Sequence, residues 1–328
     1  MKLDRRTLSY LVLGLVLFAG ATISSRYLGN YELQVFTTLA MVSVLCWGWN
    51  IVGGYMGYPS LATAAFFGMG TYVGGIAQVN GMPVSIAWLL AGLGGAALAW
   101  FLGAALLRLR GHYFAIGTIA TVEICREISS NWSSLTGGAA GLNLPIQGGS
   151  AQAVGQFFFL SMLLVALIAF LITIYVNCSK FGFGLRCIRQ NEQAASMVGV
   201  DVYRYKVIAF VISGALAACA GGVYASMVAY VEPKDAFNII MTLEVPVMVM
   251  LGGMGSVFGP LIGSVFYVVL KEFVWAYFIN WHTGILGLIV VAMIYFLPKG
   301  ILGVKWASLS SNKQKNSSVT AHEKGGAA

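Results

Sequence analysis

The residues able to do chemistry in this chain are few, and most are charges set in apolar surroundings. Glu123, Arg126 and Glu127 stand at i, i+3 and i+4, so on a helix they share one face. If that helix starts near Tyr113, a rise of ~1.5 Å per residue puts Glu123 about 15 Å along it, near the middle of a bilayer core of ~30 Å. One arginine cannot neutralise two carboxylates, and two readings stay open for Glu123. It is either half of an ion-paired tie between helices or part of a polar lining that meets a solute's ammonium group. Glu244, just before Pro246 in an interrupted apolar run, admits the same two readings. Lys271 and Glu272, near the end of another run, read as groups that snorkel to the interface.

Other chemistries find little footing. Cys46, Cys125, Cys178, Cys187 and Cys219 contain no Cys-x-x-Cys pair and read as small buried hydrophobes. His112, His282 and His322 are far apart, so no metal site is expected. Ser256 in Gly-Met-Gly-Ser could serve an intramembrane serine protease with a histidine base. Such enzymes place the serine between glycines, which this run does not, so no catalytic residue is expected. No Gly-x-x-x-x-Gly-Lys-Ser/Thr run cradles a nucleotide phosphate, and no cofactor is expected in this chain. If ATP drives it, another polypeptide binds the ATP and its Mg.

The surroundings of these residues follow from composition. Of 328 residues, 59% are hydrophobic and 9% charged, with a mean hydropathy of +0.82. A soluble domain carries roughly a quarter charged residues, so most of this surface must face lipid. The expected fold class is all-α: a polytopic membrane helix bundle with about ten spans. Apolar stretches fall near 8–24, 33–52, 59–79, 83–107, 113–131, 153–177, 207–230, 239–255, 257–279 and 283–298. Pro246 and Gly252-Gly253 interrupt the eighth, which either spans or re-enters. Of the 19 Lys and Arg residues, all but Arg26, Arg126, Lys234 and Lys271 fall on one side when both termini are cytoplasmic. The net charge of +8 is thus a topology signal, not a nucleic-acid patch. Met1 to Arg6 before an apolar run and Ala19-Gly20-Ala21 also describe a signal peptide, but an uncleaved first helix is the reading adopted. Residues 1–306 form the membrane domain, with a cytoplasmic loop at 178–206, and 307–328 a polar, disordered cytoplasmic tail.

The loop 181–206 alternates apolar and polar groups at helical spacing from Leu185 to Val198. Leu185, Ile188, Ala195 and Val198 share one face, with Arg186, Arg189 and Gln193 on the other. Gly199 is a natural stop and Asp201 a start for the next helix. Pattern alone leaves a membrane-surface spacer and a docking helix equally open. Elsewhere, glycines recur every fourth residue at Gly53/Gly57, Gly70/Gly74 and Gly255/Gly259/Gly263. On a helix this makes one face for close packing, with exposed carbonyls along a solute path as the sharper alternative.

Five segments carry a resemblance. Arg186-x-x-Arg189-Gln-Asn-Glu192-x-Ala194-Ala195-x-x-x-Gly199-Val-Asp-Val looks like the Glu-Ala-Ala…Gly loop that ABC importer permeases dock into their ATPases. Gly57-Tyr-Pro-Ser60-Leu-Ala-Thr-Ala-Ala-Phe66-Phe-Gly68, Arg108-Leu-Arg110-Gly111-His-Tyr113, Leu135-Thr136-Gly137-Gly138-Ala-Ala140-Gly141 and Met250-Leu-Gly252-Gly253-Met-Gly255-Ser256-x-x-Gly259-Pro260 follow a family order. The chain resembles the branched-chain amino acid ABC permeases, and the Arg-Leu-Arg-Gly and Thr-Gly-Gly segments favour the LivM type. Many relatives carry Asn where Ala140 stands. The resemblance implies coupling to an ATPase through Arg189, Glu192, Ala194, Ala195 and Gly199. It also implies a second, LivH-like permease, two cytoplasmic ATPases, an external substrate-binding protein and residence among inner-membrane lipid. Solutes of such systems are leucine, isoleucine and valine, or urea, amides and aromatic acids. The competing reading is a proton-coupled secondary transporter with Glu123 and Glu244 as relay, which leaves the docking loop without a task.

Overall fold

The computed structural model describes residues 5–109 and 111–277 and, beyond them, only Gly284, Gly287, Leu288 and Ile301. Arg110, His282, nearly all of the tenth apolar stretch and the tail 307–328 lie outside the described residues. The helices are α1 (Arg5–Ser24), α2 (Asn30–Trp49), α3 (Thr63–Val79), α4 (Val84–Leu106), α5 (His112–Asn131), α6 (Ser133–Thr136), α7 (Ala151–Cys178), α8 (Lys180–Gln190), α9 (Glu192–Met197), α10 (Val202–Val228), α11 (Pro233–Ala236), α12 (Ile239–Gly252) and α13 (Gly259–Tyr277). A π-helical turn, Asn50–Tyr55, prolongs α2. Two short strands, β1 (Leu142–Asn143) and β2 (Tyr230–Val231), pair antiparallel with Leu142 opposite Val231.

Each of the first nine expected stretches coincides with a long helix to within a few residues. Among the described residues, six helical segments are long and apolar enough to cross a membrane: Asn30–Tyr55, Val84–Leu106, Ala151–Cys178, Val202–Val228, Pro233–Gly252 and Gly259–Tyr277. Two of the remaining long ones fall short for visible reasons: α3 has 17 residues and α5 carries Glu123, Arg126 and Glu127, while α1 is apolar over Ser9–Ser24. The count of ten rests on these three and on 283–298.

Lipid offers helices no hydrophobic reason to associate, so close packing of small residues must hold the bundle. α10 lies between α3 and α4 on that principle. A Cβ on Gly70 would stand 2.0 Å from the Ala218 carbonyl, and one on Gly95 would stand 2.2 Å from the Ala218 Cβ. A second group packs α1 and α2 on α7, where Gly14 faces the Phe170 ring. α12 and α13 form a hairpin against α2. Aromatic side chains fill the junctions: Trp47, Phe66, Phe114, Phe170 and Phe210 are all fully buried. The Trp47 indole donates to the Val257 carbonyl at 2.9 Å, fixing the hairpin turn to α2.

Candidate coupling end and path residues

The loop between α7 and α10 is built by side-chain caps. Ser179 accepts from the Gly182 N–H at 3.3 Å and starts α8. Asn191 sits in extended backbone and accepts from the N–H groups of Gln193 and Ala194 at 2.9 and 3.1 Å, starting α9. Gly199 then adopts φ +84°, a left-handed stop, and Asp201 caps α10 through the Arg204 N–H at 3.1 Å. The stop at Gly199 and the start at Asp201 are where the sequence places them. The single helix expected over Leu185–Val198 is instead two. Asn191 offers the backbone local acceptors that compete with helix continuation, and the break rotates α9 relative to α8. Leu185, Ile188 and Ala195 remain buried, but Val198 is 74% exposed, so the expected face does not persist through the loop.

Two charged residues of this loop turn inward. Arg189 donates from Nη1 to the Gly54 carbonyl at 2.5 Å. Gly57, at φ +81°, lets its stem pass, since a Cβ there would stand 2.7 Å from Arg189 Cγ. Glu192 pairs with Lys206 at 2.7 Å, and the Tyr58 hydroxyl donates to Glu192 while accepting from Lys206. Only 5% of the Lys206 side chain and 19% of Glu192 is exposed. Behind them Asn50 accepts from the Gly255 N–H at 2.8 Å and donates to the Ser256 carbonyl at 3.0 Å. Four sequence segments therefore meet at one end of the bundle: the π-helical turn with Gly57-Tyr58, the α8–α9 loop, the first turns of α10 with Lys206, and the turn before α13. A cavity of about 440 Å³ opens there, lined by residues that include Gly57, Tyr58, Arg189 and Glu192. Outside it α9 and the residue that follows it present Ala194, Met197 and Val198, with Met197 86% exposed. Ala195, expected at the docking contact, is 2% exposed and packs on its own chain.

The acids of the path reading are only partly buried, and they are paired. Arg126 reaches Glu123 at 2.5 Å and Glu127 at 3.7 Å, so one guanidinium spans both carboxylates along the flank of α5. Glu244 on α12 meets Lys271 on α13 at 3.4 Å, which gives Lys271 a partner other than the interface. Gly259 and Gly263 lie on α13 where it crosses α12: a Cβ on Gly263 would stand 1.9 Å from the Met248 carbonyl, and one on Gly259 2.2 Å from that of Gly253. Gly255 does not share their helix. It lies in the preceding turn at φ +73° and lets Arg189 and Gly54 come close. Tyr58, Lys206 and Asn50 went unread as site residues. Tyr58 stands inside a quoted motif, but Lys206 counts in sequence only as one more cytoplasmic charge.

Comparison with known proteins gives one consistent result. Residues 31–295 match the family model described as branched-chain amino acid transport system / permease component. The high-affinity branched-chain amino acid permease protein LivM of Salmonella typhimurium is 30% identical over 304 residues, covering 84% of this chain and 70% of that protein. LivH of Escherichia coli K12 is 25% identical over 88% of this chain and 94% of its own length. One solved chain, described as an inward-facing metal-chelate type ABC transporter, covers 81% of this chain at 14% identity and a TM-score of 0.41, too low to argue a shared fold.

Proposed function

The chain belongs to the branched-chain amino acid transport permease family, and from that premise we propose that it is the LivM-type membrane subunit of an ATP-driven importer. It carries branched-chain amino acids or similar small polar solutes across the bacterial inner membrane. A LivH-like permease completes the path, two cytoplasmic ATPases bind ATP and Mg, and an external binding protein delivers the solute.

The observation that carries this reading is the clamped loop. Arg189 and Glu192 spend their charge on the bundle itself, through Gly54, Tyr58 and Lys206. The loop is thereby held rigidly against α2 and the turn before α13, while Ala194, Met197 and Val198 form an outward ridge. A short helix with a fixed base, exposing Ala194 and Met197 beside Gln193 and Ser196, suits insertion into a groove on a partner. Force applied to α9 would pass through Glu192 to Tyr58 and to Lys206 on α10, and through the adjoining α8 and its Arg189 to Gly54. The proton-coupled alternative gains nothing from the geometry, since Glu123 and Glu244 each hold a cation.

Because Ala195 is buried within this chain, the docking test belongs on the outer ridge. Met197→Asp is expected to leave the permease inserted and folded while removing co-purifying ATPase. Retention of normal amounts of ATPase by that variant would overturn the docking assignment.

A further inference from the structure

A cavity of about 260 Å³ lies between α2, α12 and α13, at the end of the bundle away from the α8–α9 loop. Glu244, Lys271 and Tyr267, whose hydroxyl hydrogen-bonds Glu244, all line it, and Val42, Met248, Val268 and Trp275 supply an apolar wall. The two charges are loosely joined: Lys271 Nζ stands 3.4 and 3.5 Å from the two Glu244 oxygens, beyond the ~2.7–2.9 Å of a well-made charge-assisted bond. Lys271 is also 49% exposed on a helix apolar enough to cross a membrane, and such a cation against lipid is costly. That flank of α13 therefore calls for a polar neighbour. The rim is polar as well, where Tyr31 donates to Glu272 at 3.1 Å.

We propose that this cavity binds a zwitterionic amino acid, with Glu244 taking the ammonium group, Lys271 the carboxylate, and the apolar wall the aliphatic side chain. An opposed acid and base a few ångströms apart, beside an apolar surface, is the complement of an aliphatic α-amino acid. Entry of the zwitterion parts the Glu244 and Lys271 side chains, replaces their one long ion pair by two shorter ones and leaves neither protein charge alone. Residues of α12 and α13 then serve both the cavity and, through Gly253–Phe258, the clamped end of the bundle. The site presupposes that the chain passes amino acids and names the residues that would hold them.

The test is ligand protection of a cysteine in the cavity wall. In the assembled permease–ATPase complex, with the five native cysteines replaced by alanine, Thr38→Cys is alkylated with N-ethylmaleimide. L-Leucine is expected to slow this about tenfold once it stands at ~10 times its dissociation constant. 3-Methylbutylamine and 4-methylpentanoate, each lacking one charge, are expected to protect far less. Glu244→Gln and Lys271→Met should each remove the leucine effect. Where either fails to assemble, the exchanged pair Glu244→Lys with Lys271→Glu keeps the tie but would force the zwitterion end for end, away from its apolar wall. Assembled complex without protection is then expected. Equal protection by all three ligands, leucine protection that survives either neutral variant or the exchanged pair, or none in the parent complex would overturn the site. ATP-driven leucine uptake by parent vesicles separates the failures: uptake without protection defeats this cavity alone, whereas no uptake defeats the permease reading as well.

Discussion

Lys206 and Glu192 are nearly withdrawn from water, and each depends on the other and on Tyr58. Removing one member of a buried pair strands its partner, at about 3–5 kcal/mol, whereas replacing both is often close to neutral. Lys206→Met is thus expected to destabilise the detergent-purified chain by about that amount, and Lys206→Met with Glu192→Gln by clearly less. Melting curves of the single and double variants check this, and equal losses would show that the pair is not coupled. On α5 the expectation is an asymmetry. Arg126→Leu abandons two carboxylates and Glu123→Gln abandons none, so the arginine variant should give less inserted protein on membrane immunoblots. At this scale the sequence was readable only within a helix. Glu123 and Arg126 declare themselves by spacing, but Glu192 lies 14 positions from Lys206 and Glu244 lies 27 from Lys271. Only the folding of two helices toward each other joins those pairs, and one sequence holds no record of it.

Helices were the most legible level, because length and apolarity together oblige a lipid-exposed segment to satisfy its backbone internally. What escaped were the interruptions. Asn191 splits the α8–α9 loop through two side-chain acceptor bonds that an apolar periodicity cannot register, and Gly255 belongs to a turn although its spacing suits a helix. The remaining glycine spacing carries real packing. A Cβ on Gly252 would stand 1.8 Å from the Gly259 carbonyl, whereas one on Gly20 would meet nothing within 4 Å. Gly252→Ala should therefore force α12 from α13 and lower the melting temperature, at the ~1–3 kcal/mol of an overpacked contact or more. Gly20→Ala should do neither. Equal melting of both variants would remove close helix contact as the role of the Gly252 strip.

For the molecule as a whole, the charges define an orientation and the contacts define two ends. The end holding Gly54, Tyr58, Arg189 and Glu192 should face the cytoplasm, and the end holding Ser150 and the β1–β2 pair the exterior. In a cysteine-free background, Ser150→Cys should react with an impermeant thiol reagent from outside, and Ser196→Cys only from inside. The reverse pattern would invert the topology and place the docking ridge where no ATPase resides. Solute movement through this chain is expected to be driven by ATP hydrolysis in a partner, and not by an ion gradient. Its most direct measurement is leucine uptake into vesicles carrying the reconstituted complex and its binding protein, with ATP inside or outside and with or without a protonophore. Uptake is expected to require ATP on the α9 side, to persist with the protonophore and to be lost in Met197→Asp. Uptake that runs without ATP and collapses with the protonophore would contradict it.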